Sequence, residues 1–155
     1  MSDNATQMLD LATDADTRAL ASDMAPGLGR GDLVTLSGPI GAGKTEFCRA
    51  LIRARAGAEI EVPSPSFTLI QTYALPDIDI AHVDLYRLAD PSELVELGLD
   101  ELAADHLVLL EWPERAEGAL PPPTVALTFS IAGIARLVEV RGRTDFLAGR
   151  QTSDA

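Results

Sequence analysis

Leu20 and Met24 stand four apart behind Thr13-Asp14, the spacing of one helical face, and predict a helix from 13 or 14 to about 26. Residues 27–32 (GLGRGD) are a turn cluster. Residues 33–37 (LVTLS) form a short apolar, partly β-branched run, the pattern of a buried strand. Residues 38–43 are a glycine loop, and 44 to about 56 a helix stopped near Gly57. Each proline of Val62-Pro63-Ser64-Pro65 biases its predecessor away from helix, so this stretch is extended. Residues 67–75 (FTLIQTYAL) and 78–85 (IDIAHVDL) predict two strands joined at Pro76-Asp77. Asp90-Pro91-Ser92-Glu93 predicts a helix start, with Asp90 as cap and Glu93 at capping-box spacing; the helix breaks near Gly98 and resumes through 104. Residues 106–111 (HLVLLE) predict a buried strand and 113–117 a helical turn, before the stiff connector Leu120-Pro121-Pro122-Pro123. Residues 125–131 and 135–141 alternate like a hairpin.

A strand, glycine loop and helix followed by further strands and helices predict an α/β fold, and the closing hairpin makes its sheet mixed, parallel plus antiparallel, with helices on its faces. The expected domain spans 1–142, with a frayed or disordered tail at 143–155.

The length of 155 residues suits one domain that needs no disulfide or metal staple. Cys48 is the only cysteine, which excludes an internal disulfide and a multi-cysteine zinc site. The first ten residues lack the basic and apolar regions of a secretion signal, and no apolar run approaches the roughly 20 residues of a membrane span. The expectation is a soluble, cytoplasmic protein without a membrane partner. Its net charge of −12 argues against this chain gripping a nucleic-acid backbone by itself.

All twelve basic residues are arginine except Lys44, and that lysine falls in Gly38-Pro39-Ile40-Gly41-Ala42-Gly43-Lys44-Thr45. This is the G-x-x-x-x-G-K-[ST] phosphate loop at every defined position. A loop that wraps a phosphate must point successive N–H groups inward, which needs positive φ and no obstructing Cβ; Gly38, Gly41 and Gly43 supply both. The helix that follows offers uncapped N–H groups and its dipole to anionic oxygens. Lys44 can reach the β- and γ-phosphates, and the Thr45 hydroxyl can ligate Mg²⁺. A chance match arises in roughly one chain in two hundred of this length, fewer with one lysine to place.

Such a site needs a carboxylate to orient the metal or its water, and commonly another for the attacking water. Asp84 and Glu111 both stand at predicted strand ends, where these groups sit. The alternatives are a turn-capping role for Asp84 and a rim pairing of Glu111 with Arg115. Asp77, Asp79 and Asp90 read as turn or cap residues. His82 shares a strand face with Asp84; it can touch the site, but a satisfied core histidine is the favoured reading. Trp112 and Tyr86 read as packing or partner contacts and Cys48 as a small buried hydrophobe. Residues 64–68 (SPSFT) lie where nucleotide switches sense the γ-phosphate, with a plain strand entry as the alternative. Arg136 is a candidate late cation near the phosphates or base.

The segments GPIGAGKTEF, SPSFTLIQTY, HVDLYRLADPSEL and LLEWPERAEGALP, in this order, resemble the bacterial TsaE family, the small ATPase of tRNA threonylcarbamoyladenosine biosynthesis. The likeness runs from about 13 to 141. It implies a P-loop NTPase with a mixed central sheet that binds ATP and Mg²⁺ and hydrolyses ATP slowly alone. It further implies action with the TsaB–TsaD complex, which modifies the adenosine beside the anticodon, ATP turnover resetting that complex and tRNA being touched only indirectly. By this resemblance Lys44, Asp84 and Glu111 form the catalytic set, and Thr45 with Glu111 the metal set. Thr13, Gly38, Gly41, Ala42, Gly43, Lys44, Thr45, Glu46 and Arg136 bind the nucleotide, and Ser64, Ser66 and Thr68 belong to the switch-like segment. Two departures stand out: Pro39-Ile40 replaces the family's Asp-Leu, removing an N–H and a carboxylate from the loop's outer edge, and Ser66 replaces threonine. A small-molecule kinase shares the loop but usually carries an Arg-bearing lid, which this sequence lacks. A nucleotide-gated adaptor with little turnover is the other alternative.

Overall fold

The computed structural model describes residues 5–65 and 68–143; Ser66, the first residue of the strand expected at 67–75, and the tail beyond 143 lie outside the described residues. The elements are β1 (Ala5–Leu11), α1 (Asp14–Met24), β2 (Leu33–Ser37), α2 (Lys44–Ala56), β3 (Ile70–Ala74), β4 (Asp79–Asp84), α3 (Glu93–Leu97), α4 (Leu99–Asp105), β5 (Leu107–Glu111), β6 (Val125–Ala132) and β7 (Ala135–Gly142). The strands form one sheet in the order β1-β7-β6-β2-β5-β4-β3. β6, β2, β5 and β4 run parallel, and β3, β7 and β1 add antiparallel edges, so the mixed sheet expected from the closing hairpin is the one observed.

The central strands bury both faces, and their alternation assigns each residue to a layer. Leu107 and Leu109 of β5 join Leu20, Met24, Phe47, Leu51 and Ile52 of α1 and α2 in one apolar cluster. Val108 and Leu110 of the same strand join Val83, Leu94 and Leu99 in the other, under α3 and α4. The same alternation turns Glu111 toward the α2 layer, along with His82 and Asp84, which follow Ile80 of that cluster at steps of two.

The structure departs from the sequence reading at four points. β1 was not expected from the sequence. Its inward alternation is confined to Leu9 and Leu11, too short a pattern to read alone, and pairing with β7 is what holds it. The strand expected at 67–75 begins only at Ile70, because Leu69 takes a left-handed φ of 68° and its N–H turns back to the Pro65 carbonyl at 2.7 Å. The expected capping box at Asp90 does not form. Asp90 instead closes a turn by accepting the Ser92 N–H at 3.0 Å, and α3 starts without a side-chain cap. The break at Gly98 occurs where expected, at a φ of 72° that separates α3 from α4. Asp79 opens β4 and is not a turn residue. No helix of the described residues is long and apolar enough to cross a membrane.

Candidate functional site

β2 ends at Ser37 and α2 starts at Lys44, so the glycine loop spans the C-terminal edge of the parallel strands. Gly38, Gly41 and Gly43 take φ values of 135°, 84° and 111°, all left-handed, as the spacing requires. No side chain caps α2, which leaves its first N–H groups turned into the loop. Gly38 has a second reason to be glycine: a Cβ there would lie 2.5 Å from the Phe129 carbonyl oxygen on β6. Gly38→Ala is therefore expected to cost about 2 kcal/mol, a melting temperature lower by roughly 4–8 °C. Thermal denaturation of the two proteins checks this, and equal midpoints would refute it.

Lys44 is nearly buried, with 5% exposure. Its ammonium donates to the carbonyls of Gly38 and Pro39 and rests 3.8 Å from the centroid of the Trp112 ring. Burial pushes this ammonium below the ordinary lysine range, while Glu111, Glu114 and Asp84 pull it partly back. Trp112 itself takes a left-handed φ of 64°, with its N–H on the Leu36 carbonyl at 3.0 Å. The sequence reading of Trp112 as packing holds, but what it packs against is the loop lysine.

Glu111 is 1% exposed. The Thr45 hydroxyl donates to its Oε1 at 2.9 Å and to its Oε2 at 3.2 Å, and His82 Nε2 lies 2.7 Å from Oε2. Burial, with the negative charge of Glu111 and Asp84 behind it, pushes the nearby Cys48 thiol well above its ordinary range. The rim pairing with Arg115 is not what forms; Arg115 lies over the Tyr86 ring instead. Asp84 combines the two readings open for it. It accepts the Tyr86 N–H at 2.9 Å, as a turn residue does, and it also lines the site. The favoured reading of His82 as a satisfied core histidine is overturned: one ring nitrogen meets the site carboxylate and the other has no partner among the described residues.

These groups converge on a cavity of about 500 Å³. Gly41, Gly43, Lys44, Thr45, Glu46, Ser64, Asp84, Glu111 and Arg136 line it. Gly38 and Ala42 belong to the loop without lining it. Glu46 pairs with Arg18 at 3.1 Å, and Arg136 pairs with Asp14 across the cavity edge. Thr13 stands outside the lining; its hydroxyl accepts the Asp16 N–H at 3.2 Å and caps α1. Thr68 also stands apart, accepting from Gln71 at 3.3 Å, and Ser66 lies outside the described residues. Sequence reasoning missed Arg49 and Arg87 in the lining. Arg49 lies four residues beyond Thr45, one helical turn along the same face, which is the signal that could have found it.

The cavity falls in the size range of ligand pockets. Four of the chain's twelve cations, Lys44, Arg49, Arg87 and Arg136, line it beside the carboxylates of Asp14, Glu46, Asp84 and Glu111, so cationic groups for a polyphosphate and carboxylates for its counter-cation stand together. The hydroxyl of Thr45 and the carboxylates of Glu111 and Asp84 are hard oxygen donors, the set that suits Mg²⁺.

The family model of the threonylcarbamoyl adenosine biosynthesis protein TsaE matches residues 11–138. The chain belongs to the TsaE family. Among TsaE relatives, the Rickettsia felis protein is 40% identical over 124 residues, 80% of this chain and 72% of that one. The Bacillus subtilis protein is 36% identical over 119 residues, 76% and 73% of the two chains. Both bear the name tRNA threonylcarbamoyladenosine biosynthesis protein TsaE. The crystal structure of Bacillus subtilis YdiB superposes with a TM-score of 0.75 at 28% identity, covering 92% of this chain and 87% of that one.

Proposed function

We propose that this TsaE-family chain is a Mg²⁺-dependent P-loop ATPase that acts with the TsaB–TsaD complex in threonylcarbamoyladenosine modification of tRNA, hydrolysis resetting the partner complex between cycles. The observation that carries the reading is the convergence of Lys44, Thr45, Asp84 and Glu111 on one cavity at the mouth of the glycine loop. In this reading the loop N–H groups of 41–46 cradle the phosphates and Lys44 leaves its carbonyl partners for the terminal phosphate oxygens. Thr45 and Glu111 hold Mg²⁺, and Asp84 or Glu111 orients the attacking water. Mg²⁺ held by Thr45 and Glu111 would supply positive charge against the phosphate oxygens. Arg136 and Glu46 border the nucleotide, Ser64 contributes the switch-like wall, and Thr13 acts through α1, whose next residue, Asp14, lines the cavity. The acidic surface suits docking on a basic protein face, so tRNA is reached through the partners.

The test is ATP hydrolysis by the full chain alone and with purified TsaB–TsaD. The expected result is slow turnover alone and a marked rise with the complex. Absence of both stimulation by the complex and binding to it would overturn the proposal.

A further inference from the structure

His82 is an expensive residue for its position. It stands inside β4 between Ala81 and Val83, opposite Leu109 of β5, with no exposed surface. An apolar residue there would avoid burying polar atoms. The imidazole spends that cost on one contact, the 2.7 Å approach of Nε2 to Oε2 of Glu111. Its Nδ1 has no partner among the described residues. These two facts fix the hydrogen. On Nδ1 it would be a buried donor without an acceptor, and the Nε2 lone pair would face carboxylate lone pairs. On Nε2 it makes a charge-assisted bond to Glu111.

We infer that His82 is a positioning residue for Glu111, its Nε2–H fixing the orientation of that carboxylate toward the cation site. This rests on the ATPase reading above. The carboxylate is gripped from two sides, by Thr45 at the start of α2 and by His82 from β4. Thr45 must turn its hydroxyl away to serve a cation, and His82 is then the donor that keeps Glu111 from collapsing toward the Lys44 ammonium. Outer groups of this kind hold metal-binding carboxylates in place and are worth about 10–100-fold in metal affinity or activity.

Two measurements on the full-length protein test the inference. Nitrogen-15 spectroscopy of the nucleotide-free chain reads the imidazole directly and should find a hydrogen on Nε2; a bare Nε2, with the hydrogen on Nδ1 instead, overturns the inference. His82→Leu should raise the Mg²⁺ concentration for half-maximal turnover at saturating ATP by about 10–100-fold, with little change in the KM for ATP at high Mg²⁺. His82→Gln, which keeps an N–H donor at a similar reach, should restore much of the Mg²⁺ response. A purely structural histidine would lower the melting temperature and leave the Mg²⁺ requirement of both variants at the native value, which also overturns the inference. Should His82→Leu fail to fold, the spectrum and His82→Gln decide alone. Failure of the ATPase reading shows separately, as nucleotide binding undisturbed by Lys44→Ala.

Discussion

Lys44→Ala is expected to lower ATP affinity by at least ~30-fold, because loss of one partner from a desolvated charge pair costs about 2–5 kcal/mol. Isothermal calorimetry of the native and variant chains measures this, and heats of binding that match would refute it. Two of the lining arginines are already engaged, Arg49 with the Val62 carbonyl at 2.8 Å and Arg136 with Asp14. The buried position of Lys44 adds a pH dependence. Desolvation lowers its proton affinity in the nucleotide-free chain, and a triphosphate favours the ammonium form. Binding therefore takes up a proton at alkaline pH, and affinity falls as pH rises through the lowered value, beneath the usual lysine figure of 10.5. A lysine in free solution contact would hold its affinity up to that figure, so a flat profile would count against the buried ammonium as the phosphate ligand.

Glu111→Gln is expected to keep ATP binding and reduce turnover by ~10²-fold or more, the usual scale for a lost charge-positioning group. Single-turnover hydrolysis beside equilibrium binding separates the two effects. Glutamine is the informative substitution. It retains one acceptor oxygen for the Thr45 hydroxyl or His82, whereas Glu111→Ala strands these buried donors at about 1–3 kcal/mol each and confounds activity with stability. If Glu111→Ala nevertheless supported full complementation in cells, the adaptor reading would replace catalysis.

The loop and its two helical neighbours were legible because local rules determine them. Glycines at 38, 41 and 43 supply positive φ wherever the chain places them, and the Gly57 and Gly98 stops work the same way. The strand ends carrying Asp84 and Glu111 were also readable, since short apolar-rich segments, IAHV and LVLL, precede them. What escaped depends on partners distant in the chain. β1 exists because β7 offers it an edge 130 residues on, and two alternating leucines cannot announce that. His82 and Glu111 are 29 residues apart, and only the parallel pairing of β4 with β5 brings the ring onto the carboxylate. The burden on Trp112 was equally hidden, because its φ of 64° follows from the tight exit of β5 and not from its side chain.

The strand that feeds the glycine loop, β2, is hydrogen-bonded on its two sides to β5 and β6, both drawn from the far half of the polypeptide. A ribosome that has released the GKT segment has thus released a turn with nothing to brace it. Nucleotide capture must wait until residues near 130 emerge, and long-range pairings of this kind are slow to close. During that interval the apolar β2 run is exposed and open to a chaperone.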